Sequence, residues 1–282
     1  MRSFLLVTTR DLPEAYFLAR ALEARAQRFA ILNLVRRPLA RQMRVMARLR
    51  RNRGSRYLAD FLLGRALHAL ERHLHVNPFP EVDGALIARI EQRHPRLDCL
   101  DPHGSPALGF VERFAPDHIL LAGAPVLKPA LYGMARQSAL NRHLGLLPES
   151  RGSDCAIWAL AMNRPESVGF SIHVVSEKVD AGDIIARQHV PIPTGASFAA
   201  YLALIQRRAS EAFVALLERI IRNEPLERHP QGRLGAHFPP AGLSTIRRAV
   251  RNYARLADRP AVEPSASPVP DSALASSPSR PR

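Results

Sequence analysis

Short apolar runs that alternate with helical segments constrain the fold of this chain more than any other feature of its sequence. Residues 4–8, 29–35 and 119–122 are rich in Leu, Ile, Val and Phe and have the length of buried strands. A helix is predicted over residues 11–24, with Asp11 or a neighbour as its cap. Strands that alternate with helices in this way predict an α/β fold.

An arginine-rich segment interrupts this alternation after the second strand. Residues 36–56 hold nine arginines and no acidic residue, and Leu39, Met43, Met46 and Leu49 recur among them at helical spacing. A further helix is predicted over 57–74, so residues 36–76 form a basic helical insertion. The insertion could contact a nucleotide-linked ligand, a tRNA, an acidic carrier or anionic lipid headgroups. Its alternative is a solvated arginine-rich face above a packed apolar stripe, which is what charge runs usually form.

Composition narrows the class of protein. The net charge is +15, but only Lys128 and Lys178 among the 40 basic residues are lysines, which is typical of a genome-wide bias toward arginine. Cys99 and Cys155 show neither metal-ligand spacing nor a disulfide pattern, so a cytoplasmic protein is expected. No stretch reaches the roughly 18 apolar residues of a membrane span, and no signal peptide is recognised. Peripheral membrane contact stays open because of the basic helix.

The chain changes character after Asn223, where the apolar periodicity fades. Residues 224–258 are therefore predicted to form a weakly patterned C-terminal extension. Residues 259–282 hold six prolines and six serines with few large apolar residues. This Pro/Ser-rich tail is expected to be disordered, since it has little apolar surface to bury.

Two groups of polar residues suggest chemistry. Asn141 and His143 lie two positions apart where a predicted strand over 138–142 ends, so their side chains share a face in extended geometry. An amide donor beside an imidazole can polarise a carbonyl and stabilise the oxyanion that forms when the carbonyl is attacked. Asp180 lies in a glycine-bearing loop between two predicted strands, where it can orient an imidazolium or take up a proton. Spacing alone does not bring the three side chains together.

Two motifs resemble those of a known family. Residues 140–152 read Leu-Asn-Arg-His-Leu-Gly-Leu-Leu-Pro-Glu-Ser-Arg-Gly, and residues 169–185 end in Val-Asp-Ala-Gly-Asp-Ile-Ile. Both resemble the 10-formyltetrahydrofolate-dependent formyltransferases, which include the methionyl-tRNA and glycinamide ribonucleotide enzymes. The resemblance implies a Rossmann-like, mixed but mostly parallel sheet flanked by helices, with a catalytic domain over residues 1–223.

The resemblance also implies roles for the three polar residues. Asn141 would hold the formyl oxygen, and His143, as an imidazolium, would stabilise the tetrahedral intermediate. Asp180 would keep His143 charged and, through a water molecule, accept the proton lost by the attacking amine. The formyl donor would be 10-formyltetrahydrofolate, used as a co-substrate, and no metal is expected.

The pterin of the donor would lie between two walls of the site in such a family member. The residues that the resemblance places in these walls are Leu121, Ala122, Gly123, Val126, Leu127, Val179, Ala181, Gly182 and Asp183. His173, on the less buried face of its predicted strand, is a candidate for supporting the catalytic residues. Arg151 and Gly152 are expected to shape the loop beyond the site, where the glycine permits a tight turn.

Departures from the family's sequence pattern limit which amines can be the formyl acceptor. The segment after the first strand, residues 8–13, lacks the glycine-rich loop with which glycinamide ribonucleotide enzymes bind phosphate. The residues after Asn223 lack the pattern of the extra domain that methionyl-tRNA enzymes carry. We therefore expect a small amine or amino sugar as acceptor, which includes nucleotide-linked amines, with methionyl-tRNA as the alternative. An inactive, arginine-rich nucleic-acid-binding protein is the alternative of another class, and the oligomeric state is not predicted.

Overall fold

A computed structural model describes residues 1–10, 12–35, 39–70 and 76–257. Three sequence predictions lie outside this part of the chain: the capping role of Asp11, the disorder of the 259–282 tail, and both ends of the 36–76 insertion.

The centre of the protein is a seven-stranded sheet in the order β3-β2-β1-β4-β5-β7-β8. Strands β1 to β5 run parallel, whereas β7 is antiparallel to both β5 and β8. This confirms the mixed, mostly parallel sheet flanked by helices that the family resemblance implies. The strands are β1 (Ser3–Thr9), β2 (Arg28–Leu34), β3 (Arg96–Cys99), β4 (His118–Ala122), β5 (Ser138–His143), β6 (Ser150–Gly152), β7 (Gly169–Val174), β8 (Ile184–His189) and β9 (Ala236–Phe238).

Helices cover both faces of the sheet, which is why β1 is apolar along almost its whole length. Phe4 and Leu6 point into one core, while Leu5 and Val7 point into the other. The α-helices of the described residues are α1 (Pro13–Ala24), α2 (Leu39–Arg53), α3 (Ser55–Leu70), α4 (Gly84–Arg93), α5 (Ser105–Phe114), α6 (Pro129–Tyr132), α7 (Cys155–Ala161), α8 (Phe198–Ile221) and α9 (Leu243–Leu256). Among these, α1, α4, α7, α8 and α9 enclose the first core, and α5 and α6 enclose the second.

Residues 224–257 are more ordered than their sequence indicates. Helix α9 buries Thr245, Ala249, Tyr253 and Leu256 against α7 and α3. Asp60 of α3 accepts hydrogen bonds from the backbone N–H and the hydroxyl of Ser244 at 2.9 Å, at the start of α9. The expectation that periodicity fades here was wrong, because arginines occupy the exposed positions and thin out the apolar pattern.

No helix among the described residues is long and apolar enough to cross a membrane. The cytoplasmic location predicted from the sequence stays a prediction.

One buried histidine should make the fold sensitive to acid. Burial, together with the charge of Arg2, lowers the pKa of His118 to about 4, although Asp117 acts in the opposite direction. The unfolded chain binds a proton at His118 below about pH 6.5, so the folded state loses stability as the pH falls from there toward 4, by up to about 3 kcal/mol. His118→Asn should therefore flatten this part of the pH profile.

Urea unfolding at pH 7 and pH 4.5 measures the effect. The free energy of unfolding should fall less for His118→Asn than for the wild type, while His229→Asn, at a partly exposed position, should follow the wild type. Equal losses in the wild type and His118→Asn would contradict the prediction.

Candidate active site

A cavity of about 810 Å³ lies beside the ends of β4 and β5 and the loop that follows β7. Its lining includes Asn141, His143, His173 and Asp180, so the fold brings together the three residues singled out from the sequence. Register explains part of this convergence. Asn141 of β5 pairs directly with His173 of β7, and the loop that carries Asp180 begins just after β7.

The four side chains form a connected polar group. The amide nitrogen of Asn141 lies 3.0 Å from Nε2 of His173. The carboxylate of Asp180 lies 3.5 Å from His173 Nε2 and 3.7 Å from His143 Nδ1. Asn141 has a second N–H that is free to donate toward a bound carbonyl. An amide donor, an imidazole and a carboxylate thus face one cavity.

His173 is more deeply placed than the sequence indicates. It is only 2% exposed, whereas strand alternation predicted a less buried face. Both faces of β7 are covered, because β7 is an inner strand of the sheet between β5 and β8. Nδ1 of His173 donates to the carbonyl of Val174 at 2.9 Å, which leaves Nε2 for Asn141. These contacts bring His173 next to Asn141, and its supporting role stays a prediction.

Asp180 is an anion held in a left-handed backbone conformation, with φ of 52°. Its carboxylate accepts a hydrogen bond from the backbone N–H of Gly152 at 2.8 Å. Burial by itself raises the pKa of Asp180, but His173, His143 and the Gly152 N–H together lower it to about 2. Asp180 is therefore ionised at neutral pH and available as a proton acceptor.

The protonation state of His143 in the free site differs from the imidazolium that the family resemblance implies. Burial lowers its pKa, and this effect exceeds the opposing effects of Asp180 and the Ser150 carbonyl. Its Nε2 donates to the carbonyl of Ser150 at 2.8 Å. In the free site the ring is therefore neutral, and the lone pair of Nδ1 faces Asp180. The thiol of Cys155 lies 3.6 Å from Nε2, and burial raises its pKa to about 12.

A buried ion pair connects β5 to α1. Arg142, between the two catalytic candidates, donates to Glu14 of α1 at 3.0 Å, and its side chain is 3% exposed. Removing one partner of such a pair leaves an uncompensated buried charge, which typically costs about 3–5 kcal/mol. The pair thus ties the strand that carries Asn141 and His143 to the first helix. No local sequence pattern indicates this pair.

The loop that carries Asp180 is clamped by the C-terminal extension. The side-chain amide of Gln231 donates to the carbonyls of Asp180 at 3.2 Å and Gly182 at 2.7 Å. Arg151, which was expected only to shape a loop, is 9% exposed and donates to the carbonyls of Val179 and Gly235. Residues beyond the predicted domain boundary at 223 therefore support the site.

This clamp continues as a small parallel sheet of β6 and β9, in which Gly152 pairs with Phe238. Gly152 has φ of 95°, and a Cβ there would lie 2.2 Å from the carbonyl oxygen of Phe238. The glycine is therefore required both by its backbone conformation and by the close approach. His237, Phe238, Pro239 and Pro240 line the cavity, and no motif in the sequence identified them.

The residues predicted to hold the pterin separate into two groups. The cavity is lined by five of them, Leu121, Gly123, Val126, Leu127 and Val179. Four do not line it, namely Ala122, Ala181, Gly182 and Asp183. Gly182 lies against the backbone of β7, where a Cβ would be 2.0 Å from the carbonyl oxygen of Val174. The mostly apolar first group offers a surface that fits a flat ring.

No cluster of three or more His, Cys, Asp or Glu side chains that could hold a metal ion is present in the described part of the chain.

Comparisons with known proteins find formyl transferases. A family model described as formyl transferase matches residues 103–217, a range that contains Asn141, His143 and Asp180. The chain is 30% identical over 151 residues to the phosphoribosylglycinamide formyltransferase of Escherichia coli (strain K12), which covers 52% of this chain and 70% of that enzyme.

The methionyl-tRNA formyltransferase of Chlorobium chlorochromatii (strain CaD3) is 32% identical over 127 residues, which covers 45% of this chain and 39% of that enzyme. The chain thus spans less than half of the length of that enzyme.

Solved structures share the fold at low identity. A sugar N-formyltransferase from Shewanella sp FDAARGOS_354 superposes with a TM-score of 0.54 at 14% identity, over 96% of this chain and all of that one. The N-formyltransferase from Helicobacter canadensis, in complex with folinic acid and dTDP-3-aminofucose, superposes with a TM-score of 0.51 at 13% identity, over 91% of this chain and 80% of that one.

Removing the clamp should loosen the loop that carries Asp180. Gln231→Ala deletes two hydrogen bonds to loop carbonyls, so we expect a loss of about 1–3 kcal/mol in the free energy of unfolding. Hydrogen–deuterium exchange of residues 176–183 should become faster. The matched control is Gln188→Ala, an exposed glutamine on β8, which should leave both measurements unchanged. Unaltered exchange in Gln231→Ala would show that the clamp does not restrain the loop.

Proposed function

The chain belongs to the formyl transferase family, and from that membership we propose that it transfers the formyl group of 10-formyltetrahydrofolate to a primary amine. We assign the reaction to Asn141, His143 and Asp180. The observation that carries the proposal is their convergence on one cavity, with the Asp180 carboxylate 3.7 Å from His143 Nδ1 and bound to the Gly152 N–H. A protein that only bound nucleic acid would have no need of this arrangement.

Each residue has a role that its contacts support. The amine attacks the formyl carbon, and negative charge develops on the formyl oxygen. When this charge returns to the carbonyl, the bond between the formyl carbon and the folate nitrogen breaks, and tetrahydrofolate leaves with a proton equivalent to the one that the amine loses. Asn141 donates its second amide N–H to that oxygen. The nitrogen that attacks must also lose a proton, and the neutral Nδ1 of His143 together with the ionised Asp180 can receive it. Once protonated at Nδ1, the His143 imidazolium is stabilised by the adjacent Asp180 carboxylate.

The donor side of the proposal rests on the apolar wall of the cavity. Leu121, Val126, Leu127 and Val179 offer the surface for the pterin, and Gly123, at φ of 69°, lets the chain turn without a side chain there. The presence of folinic acid in the Helicobacter canadensis structure, which shares this fold, supports a reduced folate as the donor. Backbone groups at these positions can recognise the edge of the pterin.

For the acceptor we propose a small amine or an amino sugar. The segment between β1 and α1 contains no glycine-rich turn, which disfavours glycinamide ribonucleotide despite the similarity to that enzyme. Fold similarity to a sugar N-formyltransferase is consistent with an amino sugar. Methionyl-tRNA is the second candidate, and it is favoured by the similarity to the Chlorobium enzyme.

Purified protein should release or transfer the formyl group of 10-formyltetrahydrofolate, and His143→Ala should slow this by about 10²–10⁴-fold, because proton transfer contributes that much. His229→Ala, outside the cavity, is the matched control and should retain the activity. Turnover is followed by the absorbance of the folate product with a panel of amines that includes methionyl-tRNA. If the wild type and His143→Ala show the same background while nucleic acid binds tightly at physiological salt, the enzyme proposal fails.

The pH dependence provides a second test. Because burial lowers the pKa of His143, the ring stays neutral below its ordinary pKa of about 6.5, and kcat/KM should begin to fall only at lower pH. Asp180→Asn removes the group that raises the pKa of His143, so the acid limb should move to still lower pH and the rate should drop. An acid limb that stays in place or moves to higher pH in Asp180→Asn would contradict the assignment.

A further inference from the structure

The helical hairpin formed by α2 and α3 concentrates positive charge that the proposed transfer does not use. Residues 39–70 hold eight arginines and one acidic residue, Asp60, and thus supply about half of the net charge of +15. The remaining 250 residues contain 32 lysines and arginines and 24 acidic residues. A general preference for arginine therefore does not explain the hairpin, because elsewhere the basic residues are accompanied by acids.

One side of α3 is fixed to the body of the protein. Asp60 accepts hydrogen bonds from the backbone N–H and the hydroxyl of Ser244, at the start of α9. Gly64 lies so close to α9 that a Cβ there would be 2.9 Å from the backbone nitrogen of Leu243. The one carboxylate in the sequence of the hairpin is therefore engaged on the side that faces α9.

The opposite side of α3 presents apolar side chains to solvent. Leu62 is 47% exposed and Leu63 is 58% exposed. At the α-helical repeat these leucines and two alanines lie within an arc of about 100°, and one arginine lies beside each edge of that arc. The exposed positions of this side are Arg56, Ala59, Leu62, Leu63, Arg65 and Ala66. An apolar stripe between arginines favours a helix that lies flat at the boundary between water and lipid.

Helix α2 adds arginines on its exposed face. Arg44, Arg50 and Arg51 are exposed, as are Met43 and Ala47, and these positions lie within an arc of about 120°. Met43 is 64% exposed. The four positions of α2 that line the cavity are different ones and lie outside this arc. The exposed face of α2 is therefore separate from the candidate active site.

The side chains of the hairpin favour lipid over nucleic acid as the partner. Proteins that bind single-stranded nucleic acid combine arginines with exposed aromatic rings on which the bases stack. The hairpin has one Tyr and one Phe, and these two rings, Tyr57 and Phe61, stack on each other with centroids 6.4 Å apart. Phe61 is buried, and the hydroxyl of Tyr57 donates to the carbonyl of Pro240 at 2.6 Å. The exposed apolar residues are instead leucine and methionine, which are stabilised when they leave water for an apolar environment.

We infer that the hairpin of α2 and α3 docks the protein on a membrane surface that contains anionic lipids. The arginines bind the headgroups, whose negative charge attracts each nearby guanidinium. Leu62 and Leu63 enter the boundary between the headgroups and the acyl chains. This docking is independent of the proposed formyl transfer, since it uses residues outside the cavity.

Co-sedimentation of the full-length protein with vesicles tests the inference. Vesicles of equal parts phosphatidylcholine and phosphatidylglycerol should bind the wild type at least about tenfold more tightly than vesicles of phosphatidylcholine alone, and high salt should weaken the binding. Failure of the wild type to bind the mixed vesicles, or equal binding to both kinds of vesicle, overturns the inference.

Charge variants test the contribution of the arginines. Arg44→Gln/Arg50→Gln/Arg51→Gln should lower the affinity for the mixed vesicles at least about tenfold, whereas lysine at the same three positions should preserve most of the affinity, since the charge is retained. The matched control lowers the net charge equally by replacing exposed arginines outside the hairpin and should bind like the wild type. This control is Arg113→Gln/Arg164→Gln/Arg228→Gln. Wild-type affinity in the glutamine variant of the hairpin, or an equal loss in the control or in the lysine variant, overturns the inference.

A second variant tests the apolar stripe without changing the charge. Leu62→Gln/Leu63→Gln should also lower the affinity for the mixed vesicles at least about tenfold, and circular dichroism should show unchanged helix content, because glutamine is a good helix former. The control is Leu100→Gln/Met162→Gln, at positions that are 52% and 39% exposed elsewhere on the protein, and it should bind like the wild type. Wild-type affinity in the Leu62→Gln/Leu63→Gln variant overturns the inference.

Total tRNA distinguishes a nucleic-acid surface from a lipid surface. If vesicle binding depends on Leu62 and Leu63 while tRNA binding does not, the inference stands. If tRNA binds the wild type more tightly than the mixed vesicles do, and Leu62→Gln/Leu63→Gln leaves both affinities unchanged, the hairpin is a nucleic-acid surface and the inference is overturned.

Discussion

The buried carboxylate of Asp180 is the constraint on which the site depends. A charge removed from water must be compensated by hydrogen bonds or by opposite charge. Here the Gly152 N–H donates a hydrogen bond to the carboxylate, and the rings of His143 and His173 lie 3.7 Å and 3.5 Å from it. Each comes from a different strand, β6, β5 and β7, so these strands must keep their places for the anion to be tolerated.

His143 and Asp180 do not form a simple ion pair. Because the His143 ring is buried, it stays neutral beside an ionised Asp180. The proton that would join them is absent until a substrate delivers it. In the proposed reaction, such a site has little affinity for a proton at the start and a larger one as negative charge develops on the formyl oxygen.

Much of the fold and of the candidate site was predictable from the sequence, because both depend on local patterns. Buried runs such as Phe4–Thr8 reveal strands, and Asn141, His143 and Asp180 lie in motifs of adjacent residues. The contributions of Gln231, His237 and helix α9 were not predictable. Gln231 donates to two backbone carbonyls, and such a contact does not depend on the types of the residues that carry the carbonyls. In α9, arginines separate the apolar positions and weaken the apolar pattern. The neutral state of His143 depends on burial, which spacing does not reveal.

The hydrogen bonds from Gln231 to the Asp180 loop can form only late in the synthesis of the chain. Gln231 and Asp180 are 51 residues apart, and Gln231 leaves the ribosome well after the motifs that carry the chemistry. A nascent chain that ends before Gln231 has Asn141, His143 and Asp180 but nothing from the C-terminal segment to hold the Asp180 loop. Bringing the two segments together costs loop-closure entropy, which grows only slowly with length. The order of synthesis therefore makes completion of the site one of the last steps in maturation.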